Sequence, residues 1–140
     1  MRILICDDDT LIIEQLKKYI ESYFESNHLK CPELVSFTSG EALLTDKGEK
    51  DIVFLDIEMP GMNGIYVGNE LKKANRNVIV FVVTSYSEYL DEAMRFHVFR
   101  YLPYNPNLKA VNIKIWQSQF YTIAFLHISA CIDVVLYHYK

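Results

Sequence analysis

A short apolar run that stops at a single carboxylate constrains the fold of this chain more than any other feature. It lies within residues 51–64 (DIVFLDIEMPGMNG), where residues 52–55 are apolar, Asp56 ends the run and turn-forming residues follow. An uninterrupted apolar run bounded by turn signals is typical of a strand buried on both faces of a parallel sheet. Because ligand sites in such sheets lie beyond the carboxyl ends of the strands, Asp56 is predicted to lie in a site.

Strand-like and helix-like segments alternate along most of the chain. The predicted strands are residues 2–6, 33–37, 52–55, 78–84 and 98–102. The first predicted helix begins after a cap at Asp9 or Thr10 and ends near residue 24. The other predicted helices cover residues 40–47, 65–74 and 85–96. This alternation predicts right-handed βαβ units with helices on both faces of a parallel sheet. We therefore predict an α/β, flavodoxin-like, doubly wound five-stranded sheet of order 2-1-3-4-5.

The predicted strand order brings carboxylates from two strands together. Asp7 and Asp8 follow strand one and Asp56 follows strand three, which are neighbours where the order reverses. Three carboxylates at close range repel one another unless a cation compensates, and an acidic all-oxygen site suits Mg²⁺. Such an ion would neutralise an incoming phosphoryl group and let a carboxylate attack phosphorus.

Further polar groups are predicted beside Asp56. Thr84 ends strand four, so its hydroxyl can bind a phosphoryl oxygen, as can the backbone N–H groups of Ile57 and Ser85. Each motif alone has a simpler interpretation: aspartates before a helix complement its dipole, and a threonine at a strand end is usually a turn former. Their coincidence at three strand ends favours a phosphoryl-accepting site.

The motifs together resemble the receiver domain of two-component response regulators over about residues 1–102. The resemblance is carried by residues 5–9 (ICDDD), 54–64 (FLDIEMPGMNG), 82–85 (VVTS) and 99–102 (FRYL). The middle and late motifs are similar to receivers that precede a LytTR-type DNA-binding domain. The resemblance implies that Asp56 takes a phosphoryl group from a phosphohistidine on a sensor histidine kinase. It also implies Mg²⁺ binding by Asp7, Asp8, Asp56 and the backbone carbonyl of Glu58.

The resemblance further implies a switch pair, Thr84 and Tyr101. On phosphorylation the threonine hydroxyl would move toward the phosphoryl group and the tyrosine ring would swing inward. The face made by helix four, strand five and the next helix would then change its binding partners. A homodimer through the helix-four and strand-five face, or through the chain's final segment, is a further expectation.

The chain departs from the family pattern after strand five. The family has a Lys-Pro step whose lysine pairs with the phosphoryl group, but residues 101–106 read YLPYNP and Tyr104 falls at or near the lysine position. We predict a receiver core over residues 1–106 and an atypical tail over residues 107–140 in place of the usual fifth helix. The tail either packs over the sheet edge or makes an oligomer contact, since an apolar surface of this kind is rarely exposed on a monomer. Alternatively it comes from an altered reading frame after Leu102, which the abrupt loss of similarity slightly favours. No DNA-binding domain is expected in the chain.

Composition excludes several classes of function. The formal net charge of −4, with no run of lysines and arginines, gives no electrostatic footprint for direct nucleic-acid binding. No segment is predicted to act as a signal peptide or to span a membrane. Three cysteines without metal-ligand spacing are typical of a reduced chain, so a cytoplasmic location is expected.

Three functions compete for the acidic motifs. The leading one is a phosphorylation-switched signalling domain, not an enzyme beyond self-phosphorylation and slow self-dephosphorylation. The alternative is a phosphorylation-independent pseudo-receiver that acts as an interaction module, which the missing lysine favours. A haloacid-dehalogenase-type phosphatase needs Asp-x-Asp-x-Thr, but Leu11 stands four residues after Asp7 and Thr10 comes one residue too early.

Overall fold

The fold was taken from a computed structural model, which describes residues 1–84 and the backbone of residues 100–103. These residues all belong to one compact unit of the chain, Met1–Tyr104. The predicted fourth helix at residues 85–96 and the predicted tail at residues 107–140 lie outside the described residues.

Strands and helices alternate through the described residues. In chain order they are β1 (Arg2–Cys6), α1 (Thr10–Ser26), β2 (Glu33–Phe37), α2 (Gly40–Thr45), β3 (Ile52–Leu55), α3 (Gly64–Ala74), β4 (Ile79–Thr84) and β5 (Arg100–Pro103). The strands pair in parallel in the order β2-β1-β3-β4-β5. The predicted α/β class with a parallel sheet is confirmed. The structure places β5 two residues later at its start, and one later at its end, than the predicted residues 98–102.

Side-chain caps fix where the helices begin. The Asp9 carboxylate accepts a hydrogen bond from the backbone N–H of Leu11 at 2.9 Å, so Asp9, and not Thr10, caps α1. The Asn63 side chain caps α3 and accepts from the Ile65 N–H at 2.7 Å. Both caps lie in the loops that follow the carboxyl ends of strands, which fixes the course of those loops.

Helix α2 is shorter than predicted because Asp46, which the prediction included in the helix, binds a residue of β1. The helix ends at Thr45 rather than near residue 47, and Asp46 takes an extended conformation with ψ of 130°. The Asp46 carboxylate binds the Arg2 guanidinium through two hydrogen bonds of 2.6 and 3.1 Å. This contact joins residues 44 positions apart, so a local helical pattern could not show it.

The sheet is buried on both faces, as the apolar strands require. One face carries Leu4, Val53 and Val80, which belong to a buried cluster that also contains residues of α2 and α3. Neighbouring side chains along a strand point to opposite faces, so Ile3 and Ile5, also buried, lie on the other face. Helix α1 contacts β1, and its buried side chains are not in the first cluster, so it covers that second face. Among the described residues, no helix is both long and apolar enough to cross a bilayer.

Candidate metal centre

The register of β1 and β3 places the first acidic residues side by side. Cys6 is paired with Leu55, and these are the last residues of the two strands. One residue further on, the backbone N–H of Asp56 donates to the Cys6 carbonyl at 2.9 Å. The chain therefore leaves both strands at one point, with Asp7 and Asp56 at the same edge of the sheet.

Three carboxylates meet at this edge and form the acidic cluster, defined as Asp7, Asp8 and Asp56. One carboxylate oxygen from each residue lies within 4.8 Å of the other two. Asp7 is buried, Asp56 is half-buried and Asp8 is exposed, so the cluster is closed on one side and open to solvent on the other. The cluster can therefore be reached by a small ligand from outside.

Asp7 is the most constrained member of the acidic cluster. Its side chain is only 6% exposed, and burial raises the pKa of its carboxyl from 3.8 to about 7. The backbone N–H of Asp9 donates to this carboxylate at 2.8 Å and lowers the pKa, whereas the nearby charges of Asp56 and Asp8 raise it. Within residues 1–84 no lysine or arginine forms an ion pair with the cluster. Its like charges therefore have no compensating cation among these residues, and a bound cation would supply one.

The Asp56 carboxylate has donors of its own. The backbone N–H groups of Ile57 and Glu58 and the side chain of Thr84 hydrogen-bond to it. Burial is the largest influence on Asp56 and raises the pKa of its carboxyl, and these three hydrogen bonds oppose that rise. Thr84 is itself only 2% exposed, so its side chain lies inside the protein beside Asp56. These neutral donors orient the Asp56 carboxylate, and its other neighbours are carboxylates.

The remaining predicted site residues differ in how far the structure describes them. The Glu58 side chain is exposed, and its backbone N–H lies against Asp56. Tyr101 is opposite Val82 in the pairing of β5 with β4, and its backbone alone is described. Ser85 and Tyr104 lie outside the described residues.

The loop after Asp56 folds back onto that residue, which sequence reasoning did not anticipate. The Gly64 N–H donates to the Ile57 carbonyl at 2.9 Å. A Cβ on Gly64 would overlap the Asp56 carbonyl oxygen and lie 2.7 Å from the Ile57 Cα. Gly61 has a φ of +87°, which L side chains rarely adopt. The two glycines were interpreted only as turn formers, yet Gly64 sets the close approach that holds the Asp56 backbone.

The donors of the acidic cluster fit a small, hard divalent cation. They are all carboxylate oxygens, and hard cations such as Mg²⁺ take oxygen ligands. Mg²⁺ usually keeps several waters and takes only one or two carboxylates from the protein, which suits a cluster open to solvent on the Asp8 side. The residues present therefore fit the ion that the sequence predicted.

The fold and the acidic cluster define a class, a doubly wound parallel sheet with carboxylates at its switch point. The chain belongs to the response regulator receiver domain family, which matches residues 3–110. The predicted resemblance is therefore confirmed, and the chain is a receiver domain of two-component signalling. The chain is similar to the response regulator protein TrrA from Thermotoga maritima, determined in complex with Mg²⁺-BeF. That similarity covers 81% of this chain and 95% of TrrA at 29% identity, with a TM-score of 0.64.

Curated relatives are similar over part of their length. The sensory transduction protein LytT from Oceanobacillus iheyensis is 29% identical over 106 residues, which are 73% of this chain and 41% of LytT. A cyclic di-GMP phosphodiesterase from Thermotoga maritima is 27% identical over 117 residues, which are 82% of this chain and 30% of that protein. The chain thus spans less than half the length of these two relatives. The receiver domain, whose family it matches, is a signalling domain.

Proposed function

We propose that Asp56 accepts a phosphoryl group from the phosphohistidine of a sensor histidine kinase. The observation that carries this proposal is the surroundings of one carboxylate: Asp56 stands at a strand end, with Asp7 and Asp8 within 4.8 Å. Hydrogen bonds from Ile57, Glu58 and Thr84 orient it. The similarity to TrrA in complex with Mg²⁺-BeF supports the same chemistry here.

Asp7, Asp8 and Asp56, with the backbone carbonyl of Glu58, are proposed to hold Mg²⁺. When bound, the ion would neutralise charge on the carboxylates and on the phosphoryl oxygens. The buried Asp7 supports this assignment, because its carboxyl has no cationic partner within residues 1–84.

The proposed transfer uses donors that already contact the Asp56 carboxylate. A carboxylate oxygen of Asp56 attacks phosphorus, the phosphorus–nitrogen bond of the phosphohistidine breaks, and its electron pair stays on the histidine nitrogen. The N–H of Ile57 and the hydroxyl of Thr84, which now contact the carboxylate, would then donate to phosphoryl oxygens. The N–H of Ser85 is proposed to join them. These donors would stabilise the charge that moves onto the acceptor side.

Thr84 and Tyr101 are proposed to transmit the phosphorylated state. Thr84 is two residues beyond Val82, which is paired with Tyr101 in the neighbouring strand. A shift of the Thr84 hydroxyl from Asp56 toward a phosphoryl oxygen would free space beside β5 for the tyrosine ring. The face that includes helix four and β5 would then bind a different partner, such as a second copy of the chain.

The output of the switch is proposed to be transcription regulation through a DNA-binding domain outside these 140 residues. The similarity to LytT supports this, and it covers 41% of that protein. Direct nucleic-acid binding by the chain itself is not proposed, because its net charge is −4. Contact with a sensor kinase places the chain in the cytoplasm in this proposal.

Intact mass after incubation with Mg²⁺ and a small acyl-phosphate donor tests the acceptor. One phosphoryl adduct is expected on the wild type, dependent on Mg²⁺ and absent from Asp56→Asn. Asp51→Asn is the matched control, because Asp51 lies just before the same strand at its opposite end, where its carboxylate accepts from the Arg2 N–H at 2.6 Å. That control should be labelled like the wild type.

A Tyr104→Lys variant sharpens the same experiment, because it restores the family lysine. Labelling of the wild type, slower than that of Tyr104→Lys, would show a working acceptor that lacks one charge. Labelling of neither protein would contradict phosphoryl transfer and leave the pseudo-receiver as the function. Labelling of Tyr104→Lys alone would also assign the natural chain as a pseudo-receiver.

A further inference from the structure

We propose that Cys6 and Met59 are positioning residues for the acceptor loop, defined as residues 56–64. The proposal rests on the proposed function, since the loop contains Asp56. The Cys6 thiol donates to the Met59 sulfur, with Sγ and Sδ 3.5 Å apart, and the contact is buried. It joins residues 53 positions apart, one in β1 and one in the loop. The contact therefore ties the acceptor loop to the neighbouring strand.

The position of this contact links it to both halves of the acidic cluster. Cys6 directly precedes Asp7, and its carbonyl accepts the Asp56 N–H at 2.9 Å. Met59 follows Asp56 by three residues and is only 7% exposed, whereas its neighbours Glu58 and Pro60 are exposed. The loop therefore turns the Met59 side chain inward, where it meets Cys6, the last residue of β1.

The chemistry of the two sulfur atoms suits this place beneath several negative charges. A thiol and a thioether are both weak hydrogen-bonding groups without a formal charge, so the contact adds no charge under the cluster. Methionine is unbranched and polarizable, so it fills the irregular space between a strand end and a turning loop. A neutral, deformable contact can fix the loop without competing with the carboxylates for a cation.

A positioning role and a packing role predict that removal of the sulfur contact loosens different parts of the protein. Both residues belong to the same buried cluster as Val80, a fully buried residue near the start of β4. If the sulfur contact only contributes to the core, its removal should loosen the sheet as Val80→Ala does. If it positions the loop, its removal should loosen the loop selectively.

Amide hydrogen exchange in the full chain separates these two roles. The reporter amides are those of Asp56, bonded to Cys6, and Gly64, bonded to Ile57; the reference amide is Ile79, bonded to Asp51 at the other end of the sheet. In Met59→Leu, a near-isosteric change, we expect exchange at Asp56 and Gly64 to rise about tenfold relative to Ile79. Cys6→Ala should give the same selective rise, and the double variant little more, because both changes break one contact. Val80→Ala should not change the ratio.

Two further measurements connect the loop to the site. Mg²⁺ affinity, from amide chemical shifts, should fall about threefold to tenfold in both single variants and stay unchanged in Val80→Ala. Labelling by an acyl-phosphate donor at saturating Mg²⁺ should slow by a similar factor. An unchanged exchange ratio in Met59→Leu and Cys6→Ala would overturn the inference, even if both proteins lose stability. Absence of labelling in the wild type would overturn only the proposed function, because the exchange and Mg²⁺ measurements would still decide this inference.

Discussion

The carboxylates at the two ends of the parallel sheet have opposite surroundings: cations at one end and other carboxylates at the other. At the amino end, Asp46 lies between two cations: the Arg2 guanidinium at 2.6 Å and the Lys50 ammonium at 3.2 Å from the same carboxylate oxygen. At the carboxyl end, Asp7 lies among carboxylates, with no lysine or arginine paired to it in residues 1–84. The hydrogen bond from Arg2 lowers the pKa of Asp46 to about 2, whereas burial raises that of Asp7 to about 7.

This contrast separates a structural use of charge from a functional one. The amino-end pairs are satisfied within the chain and hold the segment after α2 against β1. The carboxyl-end cluster accepts neutral hydrogen bonds but has no cationic partner within the described residues, so its like charges repel one another until a cation binds. The same residue type therefore stabilises one end of the strands and prepares the other for binding.

The largest difference between the two ends is expected from adding one methyl group. Gly64→Ala at the carboxyl end would place a Cβ against the Asp56 backbone, which cannot move without shifting β3. We expect a loss of about 3 kcal/mol in the free energy of unfolding, measured by urea denaturation. Gly48→Ala is the control, because its Cβ would meet only the Arg2 guanidinium, the end of a flexible side chain. Equal losses in the two variants would contradict a rigid backbone contact beneath Asp56.

Neutralising the buried carboxylate should stabilise the protein when no divalent cation is present. Asp7→Asn keeps an oxygen that can accept from the Asp9 N–H but removes the charge. We expect a gain of about 2 kcal/mol in the free energy of unfolding near pH 7 in the presence of a chelator. Saturating Mg²⁺ should stabilise the wild type and not the variant. A variant less stable than the wild type in chelator would contradict an unsatisfied charge at this end.

The same group sets a pH dependence with a definite sign. The pKa of Asp7 is raised from 3.8 to about 7 by folding, so the folded state holds the proton more strongly. Its contribution to stability is present below pH 3.8 and is lost as the pH rises toward about 7. In chelator, the wild type should therefore lose stability across this interval relative to Asp7→Asn.

Removing the Arg2 cation at the amino end should destabilise the protein, by less than Asp7→Asn stabilises it. Arg2→Met retains an unbranched stem but leaves Asp46 with Lys50 alone. We expect a loss of about 1 kcal/mol near pH 7, because the pair is bidentate but close to the surface. Mg²⁺ affinity should not change. Asp46 has its pKa lowered from 3.8 to about 2, so its contribution is present above pH 3.8 and is lost as the pH falls through about 2. Acid titration of wild type and Arg2→Met should converge in that interval.

Sequence reasoning predicted the acidic cluster because the cluster follows from strand order and strand ends alone. Asp7 and Asp56 end runs of apolar residues, and the topology of parallel sheets brings those ends together. The contacts that set the fine structure join distant residues, and no local pattern contains them. Asp46 binds Arg2 instead of continuing α2, and these residues are 44 positions apart. Cys6 contacts Met59, and these residues are 53 positions apart. Local signals thus fix the elements, whereas long-range partners fix where a helix ends and how a loop lies.

The end of α1 gives the smallest predicted effect and tests the amino end without changing the paired charges. The His28 N–H donates to the Glu25 carbonyl at 3.0 Å and the Leu29 N–H to the Phe24 carbonyl at 2.9 Å, which is a Schellman motif. His28 occupies its left-handed position, with a φ of 55°, where glycine is usual. Helix α1 ends at Ser26, two residues beyond the predicted end near residue 24.

Replacing this histidine by glycine removes the steric penalty of the left-handed conformation and adds backbone entropy to the unfolded chain. Because the steric penalty is larger than the entropy cost, His28→Gly should gain about 0.5 kcal/mol in the free energy of unfolding, measured by urea denaturation. His28→Ala is the control, since it keeps a Cβ and should show no gain. Neither variant should alter Mg²⁺ affinity, because the turn precedes β2 at the end of the sheet away from the acidic cluster. A change in Mg²⁺ affinity in His28→Gly would show that the two ends are coupled, and the separation of a structural end from a binding end would then fail.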